Sequence, residues 1–181
     1  MKCSFCFLLL LILHASSYAQ TAADSVWREE TVGQKASFRI PAAWTCVAKE
    51  GKKPVYAWTY NRTAYKLKSG KSISPSLSCV VEPATNADIR QYSTASLGFF
   101  KSLNGFKILK VITHSDGVLQ IPYAIGYWAT YTDAANVPHR LMIVHALNHG
   151  TGLKFFIDVP EESFPALEEE ITAIVHSLRF L

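Results

Sequence analysis

Three adjacent residues, His114, Ser115 and Asp116, have the side-chain types of a hydrolase triad. In such a triad the aspartate orients the histidine, and the histidine takes the proton of the serine hydroxyl. Neighbours in one turn do not supply that geometry, and the sequence has no G-x-S-x-G motif to expose a nucleophile. It also has neither a P-loop nor a G-x-G-x-x-G motif. The sequence therefore predicts no catalytic residues, although it leaves an enzymatic activity open.

Histidines are the next candidates, because His145 and His149 have the four-residue spacing of a helical metal pair. The segment around His145 reads LMIVHAL, which predicts a strand, and residues four apart on a strand lie roughly 13 Å apart. His139 would approach His149 only across a hairpin, and no carboxylate or cysteine stands nearby at ligand spacing. We therefore expect neither a metal nor another cofactor.

The first residues, MKCSFCFLLLLILHASSYAQ, have the pattern of a secretory signal peptide. The cation Lys2 precedes an apolar run, and Ser17 and Ala19 supply the small residues of a cleavage site. The apolar run is shorter than the roughly 20 residues that a membrane-spanning helix needs. We predict a signal peptide over residues 1–19, a periplasmic or secreted mature protein, and no transmembrane anchor in the mature chain.

Two cysteines, Cys46 and Cys79, remain after this cleavage, on two predicted strands. An oxidising compartment permits a disulfide between them, which would contribute roughly 3 to 4 kcal/mol by restraining the unfolded chain. Buried free thiols are the alternative, because cysteine packs as a small apolar side chain. The sequence does not decide between the two.

Hydrophobic periodicity and turn residues predict a single domain over residues 35–181, after a flexible lead over residues 20–34. The predicted strands are 35–40, 44–48, 54–60, 77–82, 107–113, 118–132, 137–148 and 153–159. The predicted helices are 86–103, with Asn86 as N-cap, and 163–178. Strands in this order, with two amphipathic helices, indicate the α+β class, with an antiparallel sheet flanked by helices.

The patterns of three segments predict where each segment lies in this architecture. Residues 141–147 are apolar on both alternating faces, which predicts a strand covered on both sides. In 153–159, Lys154 and Asp158 interrupt one face, so we expect that strand nearer an edge. The segment 36–46, ASFRIPAAWTC, reads as a hairpin with a tight turn, and we interpret its proline and tryptophan as a structural corner.

The predicted domain opens with the motif F-x-I-P-x-x-W, formed by Phe38, Ile40, Pro41 and Trp44, and closes with I-x-x-S-L-x-F, formed by Ile174, Ser177, Leu178 and Phe180. These two short motifs resemble the PsbP-like superfamily, and in particular its exported bacterial DcrB type. The resemblance covers residues 34–181 and implies an α/β/α sandwich without a shared active site. It also implies a binding or assembly module, with no catalytic residues to carry over.

Charge is uneven along the chain, although the net charge is only +4 and does not indicate nucleic acid as a partner. Most charged residues between 49 and 71 are cations, and all charged residues between 158 and 170 are acids. The alternating aromatics Tyr56, Trp58 and Tyr60 lie beside the basic segment. We therefore predict a surface that binds a protein of the cell envelope or another acidic surface. Its residues are Lys52, Lys53, Tyr56, Tyr60, Arg62, Lys66 and Lys68.

Two functional hypotheses follow from the sequence. The first is a non-catalytic, exported binding or assembly-accessory domain that contacts another envelope protein through this surface. The alternative is a small-molecule carrier with a pocket between sheet and helix. Binding that weakens steeply with salt would support the first, and salt-insensitive uptake into an apolar cavity would support the second.

Overall fold

The computed structural model describes residues 26–85 and 88–181. Its strands are β1 (Trp27–Val32), β2 (Ala36–Pro41), β3 (Trp44–Lys52), β4 (Val55–Arg62), β5 (Tyr65–Lys66), β6 (Ser72–Ile73), β7 (Ser76–Pro83), β8 (Lys107–Thr113), β9 (Ala124–Thr132), β10 (Pro138–Asn148), β11 (Thr151–Pro160) and β12 (Arg179–Phe180). Its helices are α1 (Ile89–Ser96), α2 (Gly98–Lys101) and α3 (Phe164–His176), with short 3₁₀ turns at His114–Asp116 and Glu161–Ser163. None of the described helices is long and apolar enough to cross a bilayer.

The centre of the fold is a seven-stranded sheet in the order β3-β4-β7-β11-β10-β9-β8. Every neighbouring pair in it is antiparallel. Strands β8 to β11 follow one another in the chain and pair in that order, so they form a meander, with short turns between β9, β10 and β11 and a longer connection over residues 114–123 between β8 and β9. The α+β class and the antiparallel sheet flanked by helices are thus confirmed.

Two layers cover the two faces of this sheet. On one face, α3 and a small sheet of β1, β2 and β12 enclose the larger core, in which Phe38, Phe155 and Ile174 are fully buried. On the other face, Leu97 and Phe100 from the α1–α2 region pack on β9 and β10. Strand β10 lies between the two cores, so residues 141–147 are covered on both sides, as their apolar pattern predicts.

Strand β11 is not near an edge, and the prediction that placed it there was wrong. It lies between β7 and β10, in the middle of the large sheet. The two charged residues that suggested an edge have partners instead. Lys154 Nζ lies 2.7 Å from Glu82 Oε1, and Asp158 accepts a hydrogen bond from the Tyr131 hydroxyl at 2.7 Å. Local pairing lets these charges occupy an interior strand.

The segment 36–46 is a corner, although it is not a hairpin. Strand β2 belongs to the small sheet and β3 to the large one, so the chain changes sheets between Pro41 and Trp44. Pro41 is the last residue of β2. Proline has no backbone N–H to donate to a neighbouring strand, and at the end of a strand this lack does not interrupt the pairing. Trp44 is fully buried in the larger core, as the interpretation of this segment as a structural corner requires.

Part of the predicted flexible lead is an ordered strand. Residues 27–32 form β1, which pairs antiparallel with β2 from Trp27 opposite Pro41 to Val32 opposite Ala36. The polar composition of this segment concealed the strand, because its charged side chains are held by tertiary contacts such as the hydrogen bond that Glu30 Oε2 accepts from the Tyr60 hydroxyl at 3.0 Å. The predicted signal peptide lies outside the described residues.

The predicted mid-chain helix is shorter and divided. Its predicted N-cap, Asn86, lies outside the described residues, whereas Asp88 caps α1 by accepting hydrogen bonds from the backbone N–H groups of Arg90 and Gln91 at 2.8 and 2.9 Å. The helix ends at Ser96 and a second helix starts at Gly98. Glycine favours such a break because it has low helix propensity.

The predicted strand 118–132 begins later than expected. Strand β9 starts at Ala124, after Pro122. Proline has no backbone N–H to donate to the ladder and therefore ends or precedes regular pairing. Leu119 and Ile121 nevertheless belong to the larger core, so this segment covers the sheet without extending it.

Candidate functional site

The predicted partner surface is divided between the two ends of β4. This strand of eight residues is about 23 Å long at 3.3 Å per residue. Lys52 and Lys53 precede its first residue, whereas Arg62 is its last. The structure therefore does not bring these residues into one surface. One group consists of Lys52, Lys53 and Tyr56, and the other of Arg62, Lys66 and Lys68.

Tyr60 is not available to a partner, because it is a core residue. It is fully buried, and its ring packs edge-on against Phe38 with 5.7 Å between the centroids. Its hydroxyl donates to Glu30 Oε2 at 3.0 Å. Burial, reinforced by the Glu30 carboxylate, raises the pKa of Tyr60. The sequence identified the aromatic stripe correctly but did not show which face of β4 the small sheet covers.

Arg62 holds two elements of the fold together. Its guanidinium binds both carboxylate oxygens of Glu170, with Nε to Oε1 at 3.0 Å and Nη2 to Oε2 at 3.2 Å. Both side chains are largely buried. The pair joins the end of β4 to α3, which is a structural role for a residue that we predicted to bind a partner.

The acidic segment near the C-terminus is also largely engaged within the molecule. Glu161 pairs with the Arg140 guanidinium, which lowers the pKa of Glu161 through a charge-assisted hydrogen bond. Glu162 accepts a hydrogen bond from the backbone N–H of Lys68 at 2.9 Å. The Arg140–Glu161 and Arg62–Glu170 ion pairs thus offset part of the charge asymmetry in the sequence.

Cys46 and Cys79 are free thiols in the structure. They lie on β3 and β7, and β4 separates these two strands. Since neighbouring strands are about 4.8 Å apart, the two backbones are about 10 Å apart, beyond the roughly 7 Å limit for a disulfide. Of the two alternatives from the sequence, the structure has the free thiols. Burial raises the pKa of Cys79.

The basic segment after β4 forms a small hairpin, β5–β6, beside a groove. We call this the hairpin groove, with a volume of about 720 Å³. Its apolar lining residues are Leu67, Val137, Pro138 and Pro160. Its charged lining residues are Lys71, Glu161 and Glu162. The groove lies between the hairpin, the turn before β10 and the start of α3.

A buried histidine lies next to the turn that forms one wall of the groove. His139 Nδ1 is 2.7 Å from Asp158 Oδ1, and its Nε2 is 3.6 Å from Asp133 Oδ2. Burial opposes protonation, but the hydrogen bond and charge of Asp158, with the charge of Asp133, outweigh it and raise the pKa of His139. Asp133 also accepts hydrogen bonds from the backbone N–H groups of Ala135 and Val137. These contacts therefore hold in place the turn before β10, which forms this wall of the groove.

A second buried polar cluster lies beneath α1. Ser93 Oγ is 2.9 Å from His145 Nδ1 and 2.7 Å from the Tyr127 hydroxyl. Burial, with the nearby Lys154 charge, lowers the pKa of His145 to about 4. A serine and a histidine at this distance resemble a nucleophile and its base, but both are almost completely buried. We interpret the cluster as a set of polar contacts that hold α1 against β10. In the sequence, His145 indicates such a cluster, because it is the polar residue within the apolar run LMIVHAL.

The other histidine candidates are separated. His139 and His149 lie at opposite ends of β10, about 33 Å apart along the strand, so they do not approach across a hairpin. Within residues 26–85 and 88–181, no three His, Cys, Asp or Glu side chains are arranged to hold a metal ion. In the segment 114–116, which has the residue types of a triad, Asp116 accepts hydrogen bonds from the backbone N–H and the hydroxyl of Thr113. These bonds cap a turn.

Comparisons with solved structures show the PsbP-like fold. A mutant of the protein Mog1 aligns with a TM-score of 0.57 at 10% identity, over 85% of this chain and 95% of its own. Cyanobacterial PsbP (CyanoP) from Synechocystis aligns with a TM-score of 0.56 at 11% identity, over 86% of this chain and 92% of its own. LpqN of Mycobacterium tuberculosis aligns with a TM-score of 0.55 at 16% identity, over 90% and 95%.

These identities are low, so the likeness shows the fold alone. No protein-family model matches the sequence, and the search of curated proteins finds no match. The resemblance drawn from the two sequence motifs is confirmed at the level of the fold. The structure neighbours assign neither a function, a partner nor a binding residue to this chain.

Proposed function

We propose that this protein is an exported, non-catalytic binding domain that contacts another protein of the cell envelope. The observation that carries the proposal is the hairpin groove, which places an apolar lining beside a basic hairpin. Export rests on the signal-peptide pattern of residues 1–19. In agreement with it, LpqN, which has the same fold, is described as involved in cell envelope biogenesis.

Charge at the hairpin groove indicates the chemistry of the partner. Lys66 and Lys68 are exposed and have no ion-pair partner in the described part of the chain. Of the acids that line the groove, Glu161 pairs with the Arg140 guanidinium, whereas the exposed Glu162 accepts a hydrogen bond from the uncharged backbone N–H of Lys68. The apolar lining of the groove therefore lies beside a hairpin whose exposed Lys66 and Lys68 have no ion-pair partner among the described residues. An acidic segment of a protein partner with an apolar anchor side chain fits this surface.

Affinity capture from envelope extracts tests the proposal. The baits are the mature protein, K66E/K68E, and the matched control K107E/K110E, whose lysines lie on β8 at the far edge of the large sheet. We expect one envelope protein to be retained by the wild type and the control, and to be lost with K66E/K68E. Retention should fall steeply with salt, because exposed charges are screened. Equal retention by K66E/K68E would contradict the proposal.

A small-molecule carrier is the second candidate. The volume of the groove, about 720 Å³, falls in the range of roughly 300 to 1,000 Å³ that is usual for small-ligand sites. It lies beside the hairpin, however, and not between sheet and helix, where Leu167, Ile171 and Ile174 of α3 are buried against the core. An apolar ligand whose binding is insensitive to salt, and is lost in V137D, would favour the carrier.

A further inference from the structure

A second cleft lies at the opposite end of β4 from the hairpin groove. We call it the Tyr56 cleft, with a volume of about 240 Å³. Its polar residues are Lys35, Lys53, Tyr56, Glu82 and Thr151. The two openings are separated by about the 23 Å length of β4, so they are distinct sites.

Four separate parts of the chain bring these residues together. In the large sheet Tyr56 pairs with Val81, and Thr151 pairs with Pro83, so the start of β4, the end of β7 and the start of β11 meet at one end of the sheet. Lys35 comes from the turn between β1 and β2, and Lys53 from the turn between β3 and β4. Only the tertiary fold produces this set.

Two glycines fix the ring of Tyr56. A Cβ atom on Gly33 would lie 2.4 Å from Tyr56 Cδ2, and one on Gly51 would lie 2.6 Å from Tyr56 Cδ1. Real Cβ atoms do not approach this closely, so a side chain at either position would displace the ring. Gly33 also has a φ of +57°, which other residues rarely adopt. The orientation of the tyrosine in the cleft is therefore determined by its neighbours.

The cleft contains donors without partners and no uncompensated acid. Lys35 and Lys53 have no ion-pair partner among the described residues, and the hydroxyls of Tyr56 and Thr151 form no hydrogen bond within them. Glu82, the carboxylate of the cleft, is engaged by Lys154 Nζ at 2.7 Å and by a tyrosine hydroxyl. Two ammonium groups and two hydroxyl groups thus remain available to one ligand.

We propose that the Tyr56 cleft is a binding site for an oxyanion, a phosphate or carboxylate group. Lysine ammonium groups supply the charge, and the two hydroxyls donate hydrogen bonds to the remaining oxygens. At about 240 Å³ the cleft accommodates one such group with a small attached moiety. The group comes either from a free small anion or from the headgroup of an anionic lipid.

Amide NMR of the mature protein, titrated with inorganic phosphate and with acetate, tests this site. We expect saturable shifts at the backbone amides of Gly33, Gly51 and Gly150, which surround the cleft. K35Q/K53Q should weaken the apparent affinity by about tenfold or more, because hydrogen bonds to charged groups are strong. Y56F keeps the ring in place and should weaken phosphate binding by a smaller factor.

A matched control and two lipid compositions complete the experiment. K107Q/K110Q, which removes two lysines from the far edge of the sheet, should bind phosphate like the wild type. Binding to phosphatidylglycerol vesicles, but not to phosphatidylcholine vesicles, with loss in K35Q/K53Q, would identify a lipid headgroup as the source. Binding of free phosphate alone would identify a small anion.

Two results would overturn the proposal. One is the absence of saturable shifts with every probe, and the other is equal binding by the wild type and K35Q/K53Q. Neither result bears on the hairpin groove, because its test uses K66E/K68E at the other end of β4. Failure of the oxyanion site and failure of the proposed protein contact are therefore separate outcomes.

Discussion

The indole Nε1 of Trp44 donates a hydrogen bond to Glu170 Oε1 at 2.7 Å, across 126 positions of the sequence. The same carboxylate receives the Arg62 guanidinium. The corner between the two sheets, the end of β4 and the helix α3 therefore meet at one acidic side chain. Because Glu170 is largely buried, the fold depends on both partners to satisfy its charge.

Removing this carboxylate should destabilise the domain strongly. E170A removes from a largely buried site the carboxylate that accepts hydrogen bonds from the Arg62 guanidinium and the Trp44 N–H, so we expect a loss of about 2 to 4 kcal/mol. Urea denaturation measures it. E169A is the matched control, since Glu169 is exposed on the same helix, and it should change the free energy of unfolding by no more than about 0.5 kcal/mol. Equal losses in the two variants would contradict this role for Glu170.

His145 should make the domain less stable in mild acid. Its pKa is about 4 in the folded state against 6.5 for an unperturbed histidine. The unfolded state therefore binds the proton first, and stability that is complete above pH 6.5 is lost as the pH falls towards 4. The contribution is up to about 3 kcal/mol. Unfolding free energies measured across this window should fall less steeply in H145Q, whereas H176Q, at an exposed histidine, should follow the wild type.

His139 should contribute with the opposite sign. The carboxylates of Asp158 and Asp133 raise its folded pKa, so its contribution is complete below the unfolded value of 6.5 and is lost as the pH rises through the raised value. H139Q should thus lose more stability relative to the wild type at about pH 5.5 than at about pH 8.5. A loss that is independent of pH would show that packing, and not charge, accounts for the effect of this histidine.

The mature protein should contain two free thiols. Without reductant, thiol titration should find Cys46 and Cys79 both reactive after denaturation. In the native protein Cys79 should be unreactive, because it is fully buried and its raised pKa disfavours the thiolate. Finding no free thiol in the denatured, unreduced protein would mean that the two cysteines are bridged.

Two glycines should respond oppositely to alanine. At Gly152 a Cβ atom would lie 2.5 Å from the Tyr92 hydroxyl and 2.9 Å from the Cβ of Ala84, so G152A should cost about 1 to 3 kcal/mol. Gly98 has no neighbour within 4 Å of the added Cβ and lies in α2, so G98A should be neutral or stabilising by up to about 1 kcal/mol. Thermal or urea denaturation of both variants decides the comparison.

Local pattern was sufficient for most elements of this fold. Alternating apolar residues predicted the strands of the meander, and the stripe of α3 predicted a helix against a sheet. The apolar run 141–147 even predicted coverage on both faces, because a strand tolerates such a run only when both sides are buried. These features depend on neighbours within a few positions, so the sequence contains them.

The small sheet shows where local pattern fails. Strand β1 is polar and becomes ordered through its pairing with β2, and the change of sheet between Pro41 and Trp44 is decided by what covers each side. The same small sheet buries Tyr60, which we predicted on a partner surface. Strand order likewise places β4 between Cys46 and Cys79, a separation that spacing along the chain does not reveal.

Residue types over short windows were enough to predict the periodicity of the elements and the fold class, and they also predict an export signal over residues 1–19. Which charges remain available depends instead on the tertiary structure. It brings Arg62 at the end of β4 into contact with Glu170 of α3, and it places Lys66 and Lys68 in the hairpin beside one groove. It also gathered Lys35 and Lys53 in the cleft at the other end of β4. Ionic contacts between residues distant in sequence depend on strand order and layer packing, and neither is encoded in any single segment.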